Sequence, residues 1–212
     1  MKVRYTHTYI YYNNTDFFFG MINKYIFNFY LYSHSSGDWK NGKKHGKGCY
    51  KYVDGSVYQG GFKDDKRCGE GVYTYSDGGV YEGHWKDNKK NGYGVIKFNT
   101  GAVYDGEYKM DNRHGKGVFK LSNGSVYNGD WSHDHKDGTG MLQWYNGTVF
   151  TGSFEHGKLV TGNLKLYTGS EYLATFSGGE DIVNDHRLYR VELFQDGVCV
   201  SKSSFSNGEL ID

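Results

Sequence analysis

A 23-residue period constrains this chain more than any other feature. Tyr58, Tyr81, Tyr104, Tyr127 and Phe150 recur at that interval, and two residues after each stands a glycine: Gly60, Gly83, Gly106, Gly129 and Gly152. Two further on comes a second ring, at Phe62, Trp85, Tyr108, Trp131 and Phe154. One period earlier the register holds at Gly37 and Trp39, with Ser35 in place of the first ring. The second half of the unit carries paired glycines, Gly46 and Gly48, then Gly69 and Gly71, Gly92 and Gly94, Gly115 and Gly117, Gly138 and Gly140. Each pair precedes a short stretch (Cys49–Tyr52, Val72–Tyr75, Val95–Phe98, Val118–Leu121, Met141–Trp144) that ends at a turn signal such as Asp54-Gly55, Asp77-Gly78 or Asn146-Gly147. Asx-Gly pairs permit positive φ and favour tight turns between strands. A fixed period of this length marks an array in which one supersecondary unit stacks on the next.

The units run 35–57, 58–80, 81–103, 104–126 and 127–149. A sixth, 150–171, lacks one residue before Gly162. Residues 172–212 keep only fragments of the pattern, at Tyr172, Phe176, Asp196-Gly197 and Phe205, and read as a degenerate repeat that caps the array. Residues 1–34 carry no repeat and read as an irregular extension. Their apolar run Phe17–Tyr32 is interrupted by Asn23, Lys24 and Asn28, which suits neither a span of about 20 apolar residues nor a secretory signal.

Each half-unit has strand periodicity. Successive side chains of a strand alternate faces, so Tyr58, Gly60 and Phe62 share one face, as do Gly71, Tyr73 and Tyr75, while Gln59, Val72 and Thr74 lie opposite. The ring face thus has glycine vacancies over which a neighbouring ring can lie. With 32 glycines, 21 tyrosines, 13 phenylalanines and no proline, rings rather than aliphatics must do most of the burying. The expected fold is all-β, an elongated single antiparallel sheet of tandem hairpins with almost no helix from 35 to 171.

These residues resemble the MORN (membrane occupation and recognition nexus) repeat family, whose pattern of ring, glycine, ring, Lys, His-Gly, Gly and Asx-Gly-Ser is matched well by Tyr104–Val126 and Gly37–Val57. The resemblance spans 35–171. It implies a non-enzymatic scaffold or attachment module, as in radial spoke heads, membrane-bridging junctophilins, unconventional-myosin partners and apicomplexan cytoskeletal proteins. It also admits a regulatory region of a larger enzyme, since such arrays accompany plant phosphatidylinositol phosphate kinases and a SET-domain lysine methyltransferase. The implied location is cytoplasmic, at the cytoskeleton, the cilium or a membrane surface.

Nothing in the sequence marks an active site, and no cofactor is expected. Gly46-Lys47-Gly48 lacks the spacing of a phosphate-binding loop. His133-Asp134-His135 falls where other units carry polar turn residues, and His45 and His114 share a slot with Cys68, Asn91 and Asp137, so neither set reads as a metal or catalytic site. Cys49, Cys68 and Cys199 fit no metal or disulfide framework, and free thiols suit a reducing cytosol. A net charge of +1 argues against bulk electrostatic binding of nucleic acid.

Two binding surfaces are expected instead. The first is an aromatic groove for a partner protein, with Tyr73, Tyr75, Phe98, Phe119 and Trp144 as candidates. The second is a basic edge. Five windows read as turns, Lys40–Gly48, Lys63–Gly71, Lys86–Gly94, Lys109–Gly117 and Ser132–Gly140, hold fourteen of the 25 Lys and Arg against seven acids. Lys43, Lys44, Lys66, Arg67, Lys89, Lys90, Arg113 and Lys116 would there face anionic phospholipid, or simply keep the edge soluble.

Overall fold

The computed structural model describes residues 4–10, 32–183 and 186–211, so all but the last residue of the apolar run Phe17–Tyr32 lies outside it. The described residues form seventeen strands and no helix, and the chain divides into two units, residues 1–88 and 89–212.

The first unit holds β1 (Arg4–Ile10), β2 (Tyr32–Lys40), β3 (Lys43–Lys51), β4 (Val57–Lys63), β5 (Lys66–Thr74) and β6 (Val80–Lys86). Each pairs antiparallel with the next. Residues 4–10, read from sequence as part of an irregular extension, thus form a strand against 32–38.

The second unit continues the pattern with β7 (Lys89–Lys97), β8 (Val103–Lys109), β9 (Asn112–Lys120), β10 (Val126–Ser132), β11 (His135–Gln143), β12 (Val149–Glu155) and β13 (Lys158–Lys165). It ends in β14 (Glu171–Val183), β15 (His186–Gln195), β16 (Val198–Ser206) and β17 (Glu209–Ile211). Here too every strand pairs antiparallel with its sequence neighbours. The residue missing from the sixth repeat shortens its second strand: Gly152 pairs with Gly162, ten residues on, where Gly129 pairs with Gly140, eleven on.

The windows Lys40–Gly48 to Ser132–Gly140 are not long turns. Each is two strand ends joined by a two-residue turn, Asp64-Asp65 in the repeat 58–80, with both residues at positive φ (49° and 68°). That geometry matches the right-handed twist of the flanking strands. The Gly-x-Gly stretch then lies inside the strand, not the turn: its first glycine takes a positive φ (66° at Gly69), and its second leaves out a Cβ for which there is no room. A Cβ on Gly71 would stand 2.4–2.6 Å from the Tyr58 ring, and one on Gly117 2.4–2.7 Å from the Tyr104 ring.

Tyr58, Tyr81, Tyr104, Tyr127 and Phe150 are completely buried. Each tyrosine hydroxyl donates to the carbonyl three residues on, at Gly61, His84, Glu107 and Asp130 (2.8–3.1 Å). The second ring closes the column: Trp85 lies 5.4 Å edge-on to Tyr58, and its indole N–H donates to Gly71 O at 3.2 Å. Trp131 repeats this with Tyr104 (5.3 Å) and Gly117 O (3.1 Å).

Burial pushes the hydroxyls of Tyr58, Tyr104 and Tyr127 well above tyrosine's ordinary value of 10. Because the folded state favours the neutral phenol, the stability this confers is complete below pH 10 and is lost as pH rises through the folded values. The column is therefore expected to ionise only together with loss of the sheet. Phenolate absorbance and far-ultraviolet circular dichroism should change in one shared step above pH 10; these tyrosines ionising while the sheet persists would contradict this packing.

Candidate functional site

Between hairpins the chain makes a five-residue link, at 52–56, 75–79, 98–102, 121–125 and 144–148. In each, the first N–H donates to the last carbonyl (2.8–2.9 Å). The Asx at the third position accepts from the backbone two residues on: Asp54 from Ser56, Asp77 from Gly79, Asn123 from Ser125, Asn146 from Thr148 (2.9–3.0 Å). Ser56 also donates its hydroxyl to Asp54, and this bond, with that from the Ser56 N–H, holds the Asp54 carboxyl below the usual carboxylate range.

Rings open four of these links, at Tyr52, Tyr75, Phe98 and Trp144, with Leu121 in the fifth, and the first three stand at the surface beside the buried column. In the first unit Tyr73 and Tyr75 lie 4.7 Å apart, both half-buried. Tyr50 and Tyr52 extend the row, with centroids 4.6 Å apart and Tyr52 5.7 Å from Tyr73. The Tyr73 hydroxyl lies 2.8 Å from buried Ser56 Oγ. Tyr50 and Tyr52 are one period before Tyr73 and Tyr75, so the repeat itself points to them. In the second unit Phe98, 38% exposed, lies 6.1 Å from half-buried Phe119.

Trp144 differs. It is only 8% exposed, because the C-terminal hairpin covers it. Phe205 sits 5.2 Å from Trp144 and 5.3 Å from Phe176, and the Cα of Gly208 lies so close that a Cβ there would be 2.7 Å from the Trp144 side chain. The Asn146 amide donates to Gly208 O at 3.2 Å, and the Asn207 amide to the Tyr145 hydroxyl at 3.4 Å.

At the other hairpin end the eight basic candidates divide in two. Lys44, Arg67, Lys90 and Arg113 occupy one repeat slot and lie over rings. The Arg67 guanidinium is 4.2 Å from the Trp85 ring centroid, that of Arg113 4.3 Å from Trp131, and the Lys44 ammonium 3.9 Å from Tyr50. Lys90 stands 5.0 Å from Tyr108. The slot also ties adjacent turns together. The backbone N–H groups of Lys44, Arg67, Lys90 and Arg113 donate to Asp65, Asn88, Asp111 and Asp134 (2.8–2.9 Å), and Arg113 adds side-chain bonds to the Asp134 carboxylate (3.0 Å) and carbonyl (2.9 Å). Lys43, Lys66, Lys89 and Lys116 are exposed. Of these, Lys66 pairs with Asp87 (3.1 Å) and Lys116 with Asp130 (2.6 Å). Burial alone would raise the Asp130 carboxyl, but bonds from Lys116 and from the Thr139 N–H and hydroxyl outweigh it and hold it low.

This division makes reversal of a stacked residue far costlier than reversal of an exposed one. Arg113→Glu loses the stacking and sets two carboxylates together, and is expected to cost at least about 2 kcal/mol. Lys89→Glu is expected to stay within about 0.5 kcal/mol of wild type. Urea denaturation of the two variants measures the difference, and equal costs would mean that the stacked guanidinium holds nothing.

The remaining sequence candidates take structural places. Gly46-Lys47-Gly48 lies within β3. His133 and Asp134 form a two-residue turn at positive φ. Among the described residues no three His, Cys, Asp or Glu are grouped to hold a metal ion, and no helix is long and apolar enough to cross a membrane.

Within each unit, tandem hairpins with one buried ring column and a recurring cation slot define a hairpin-repeat protein. The MORN repeat model matches residues 36–57, 58–80, 81–103, 104–126 and 127–149, more than half of the chain, and the chain belongs to the MORN repeat family. No curated protein sequence matches it. Among solved structures it is similar to the TCP domain of Drosophila melanogaster SAS-4 (dCPAP), solved with a proline-rich motif of Ana2, at 16% identity over 66% of this chain and 82% of that chain, TM-score 0.38. It is also similar to the wild-type TCP10 domain of Danio rerio CPAP, at 11% identity over 81% of this chain and 83% of that one, TM-score 0.42.

Proposed function

We propose that this chain is a non-enzymatic scaffold that holds partner proteins against the surface rings of its repeats, in the cytoplasm and within cytoskeletal or ciliary assemblies. The observation that carries the reading is the row Tyr50, Tyr52, Tyr73 and Tyr75: four half-buried rings, each in contact with the next, beside the buried column. Rigid aromatic side chains supply large contact area at low entropic cost and dominate interface energetics. Membership of a repeat family that works as scaffolds agrees with this.

Attachment to anionic phospholipid through the turn edge has weaker support. Half of the eight basic candidates lie over rings, and two of the exposed four are paired with aspartates. The two readings separate experimentally. Capture of partners from source-cell extract by the intact chain is expected to survive about 0.5 M salt, where exposed charges are screened within a few ångströms. It should also survive reversal of Lys43, Lys66 and Lys89 to Glu. It should fail for Tyr52→Ala with Tyr75→Ala. Capture that ignores the tyrosines, with salt-sensitive binding to phosphatidylserine vesicles lost in the lysine variant, would assign the chain to membranes instead.

A further inference from the structure

The C-terminal hairpin shows how a link of this array is occupied. Phe205 packs on the ring that opens the link (Trp144), and three residues later the Gly208 carbonyl accepts from the Asx of the same link (Asn146). Asn146 divides its head group between two tasks. Its oxygen accepts from the Thr148 N–H at 3.0 Å, and its amide nitrogen faces the occupant.

The links of the first unit have the same backbone. The Tyr52 and Tyr75 N–H groups donate to Ser56 O and Gly79 O at 2.8 Å, as that of Trp144 donates to Thr148 O at 2.9 Å. One oxygen of Asp54 and of Asp77 likewise accepts from the N–H two residues on. The second oxygen of each carboxylate therefore takes the place of the Asn146 nitrogen. There the polarity is reversed: where Asn146 donates to a carbonyl, Asp54 and Asp77 accept, and they carry charge. Both are exposed, beside the half-buried rings of Tyr52 and Tyr75.

We infer that the links at 52–56 and 75–79 bind a partner segment bearing an aromatic residue followed, about three positions on, by lysine or arginine. The aromatic takes the place of Phe205, and the cation lies where the Gly208 carbonyl lies in the second unit. An acidic residue at that position would meet Asp54 or Asp77 and be rejected, so the link selects by repulsion as well as attraction. Charge-assisted hydrogen bonds to a carboxylate are the stronger kind. This rests on the scaffold reading above and names the chemistry of its partner.

The test is fluorescence anisotropy of a labelled peptide copying Val198–Ile211, either with its own Glu209 or carrying Glu209→Lys, so that Gly208, where a Cβ would meet the ring that opens the link, is kept; each is titrated with the intact chain. The lysine peptide is expected to bind at least about tenfold tighter than the glutamate peptide. Asp54→Asn with Asp77→Asn keeps the backbone cap and removes the charge, and should bring that ratio below about threefold. Equal affinities for the two peptides, or no binding of either below about 1 mM, overturns the inference. Equal but Tyr52- and Tyr75-dependent affinities would overturn the charge rule while leaving the scaffold reading intact, whereas extract capture indifferent to those tyrosines sinks the scaffold reading itself.

Discussion

Gly71→Val is expected to destabilise the first unit by about 3 kcal/mol or more, the upper range of overpacking costs. A Cβ at Gly71 meets the Tyr58 hydroxyl at 2.4 Å and ring carbons at 2.6 Å. The ring has no room to retreat. It is fully buried, with Phe62 edge-on at 5.1 Å, Trp85 at 5.4 Å and the Arg67 guanidinium at 5.7 Å. Retreat would also break the bonds from the Tyr58 hydroxyl to Gly61 O and from the Trp85 indole to Gly71 O. Any gain in strand propensity is within about 1 kcal/mol and cannot offset this. Gly101→Ala is the comparison. Gly101 has open space around it but sits at φ 87°, so alanine there costs about 1–2 kcal/mol of backbone strain. Chemical denaturation should rank valine at Gly71 as the costlier change, and the reverse order would refute the ring-over-glycine packing.

Phe205→Ala is expected to cost about 3–5 kcal/mol, the range for emptying a large buried aromatic site. Phe205 is completely buried between Trp144 and Phe176 and pairs across strands with Tyr189. Its loss leaves a cavity under β16 and frees the turn that seats Gly208 on Trp144. Amide exchange should therefore accelerate in 198–211 first, then in β14 and β15, while 103–132 keep their protection. A loss below about 1 kcal/mol, with exchange in 198–211 unchanged, would show that the hairpin is not held by this ring.

Much of this was legible without coordinates. The 23-residue spacing of Tyr58, Tyr81 and Tyr104 and the alternation Tyr58-Gly60-Phe62 identify the buried face, because a strand offers only two faces and glycine marks where a ring can lie. The surface row followed from the same register, although Tyr50 and Tyr52 complete it and Trp144 belongs to the capped end. Two things were not legible. Counting charges treated Arg67 and Lys66 alike, yet neighbouring strand residues point to opposite faces, so Arg67 lies over Trp85 while Lys66 reaches Asp87. The long basic turns were also an artefact of reading glycine as punctuation: in Gly69-Glu70-Gly71, inside β5, Gly71 makes room for the Tyr58 ring and Gly69 takes a positive φ within the strand.

The sequence by itself determined the repeat, the hairpin as its unit, the buried column and the glycine vacancies, since all of these are local and recur five times over. Only the tertiary structure decided which cations stack and which face solvent, because that depends on the hand of each two-residue turn and on the ring it brings beneath the side chain. The tertiary structure alone also decided that Phe205 and Gly208 close over Trp144 and Asn146. That contact joins residues about sixty positions apart, where no periodicity operates, and it depends on β14–β17 carrying the chain back to the link at 144–148.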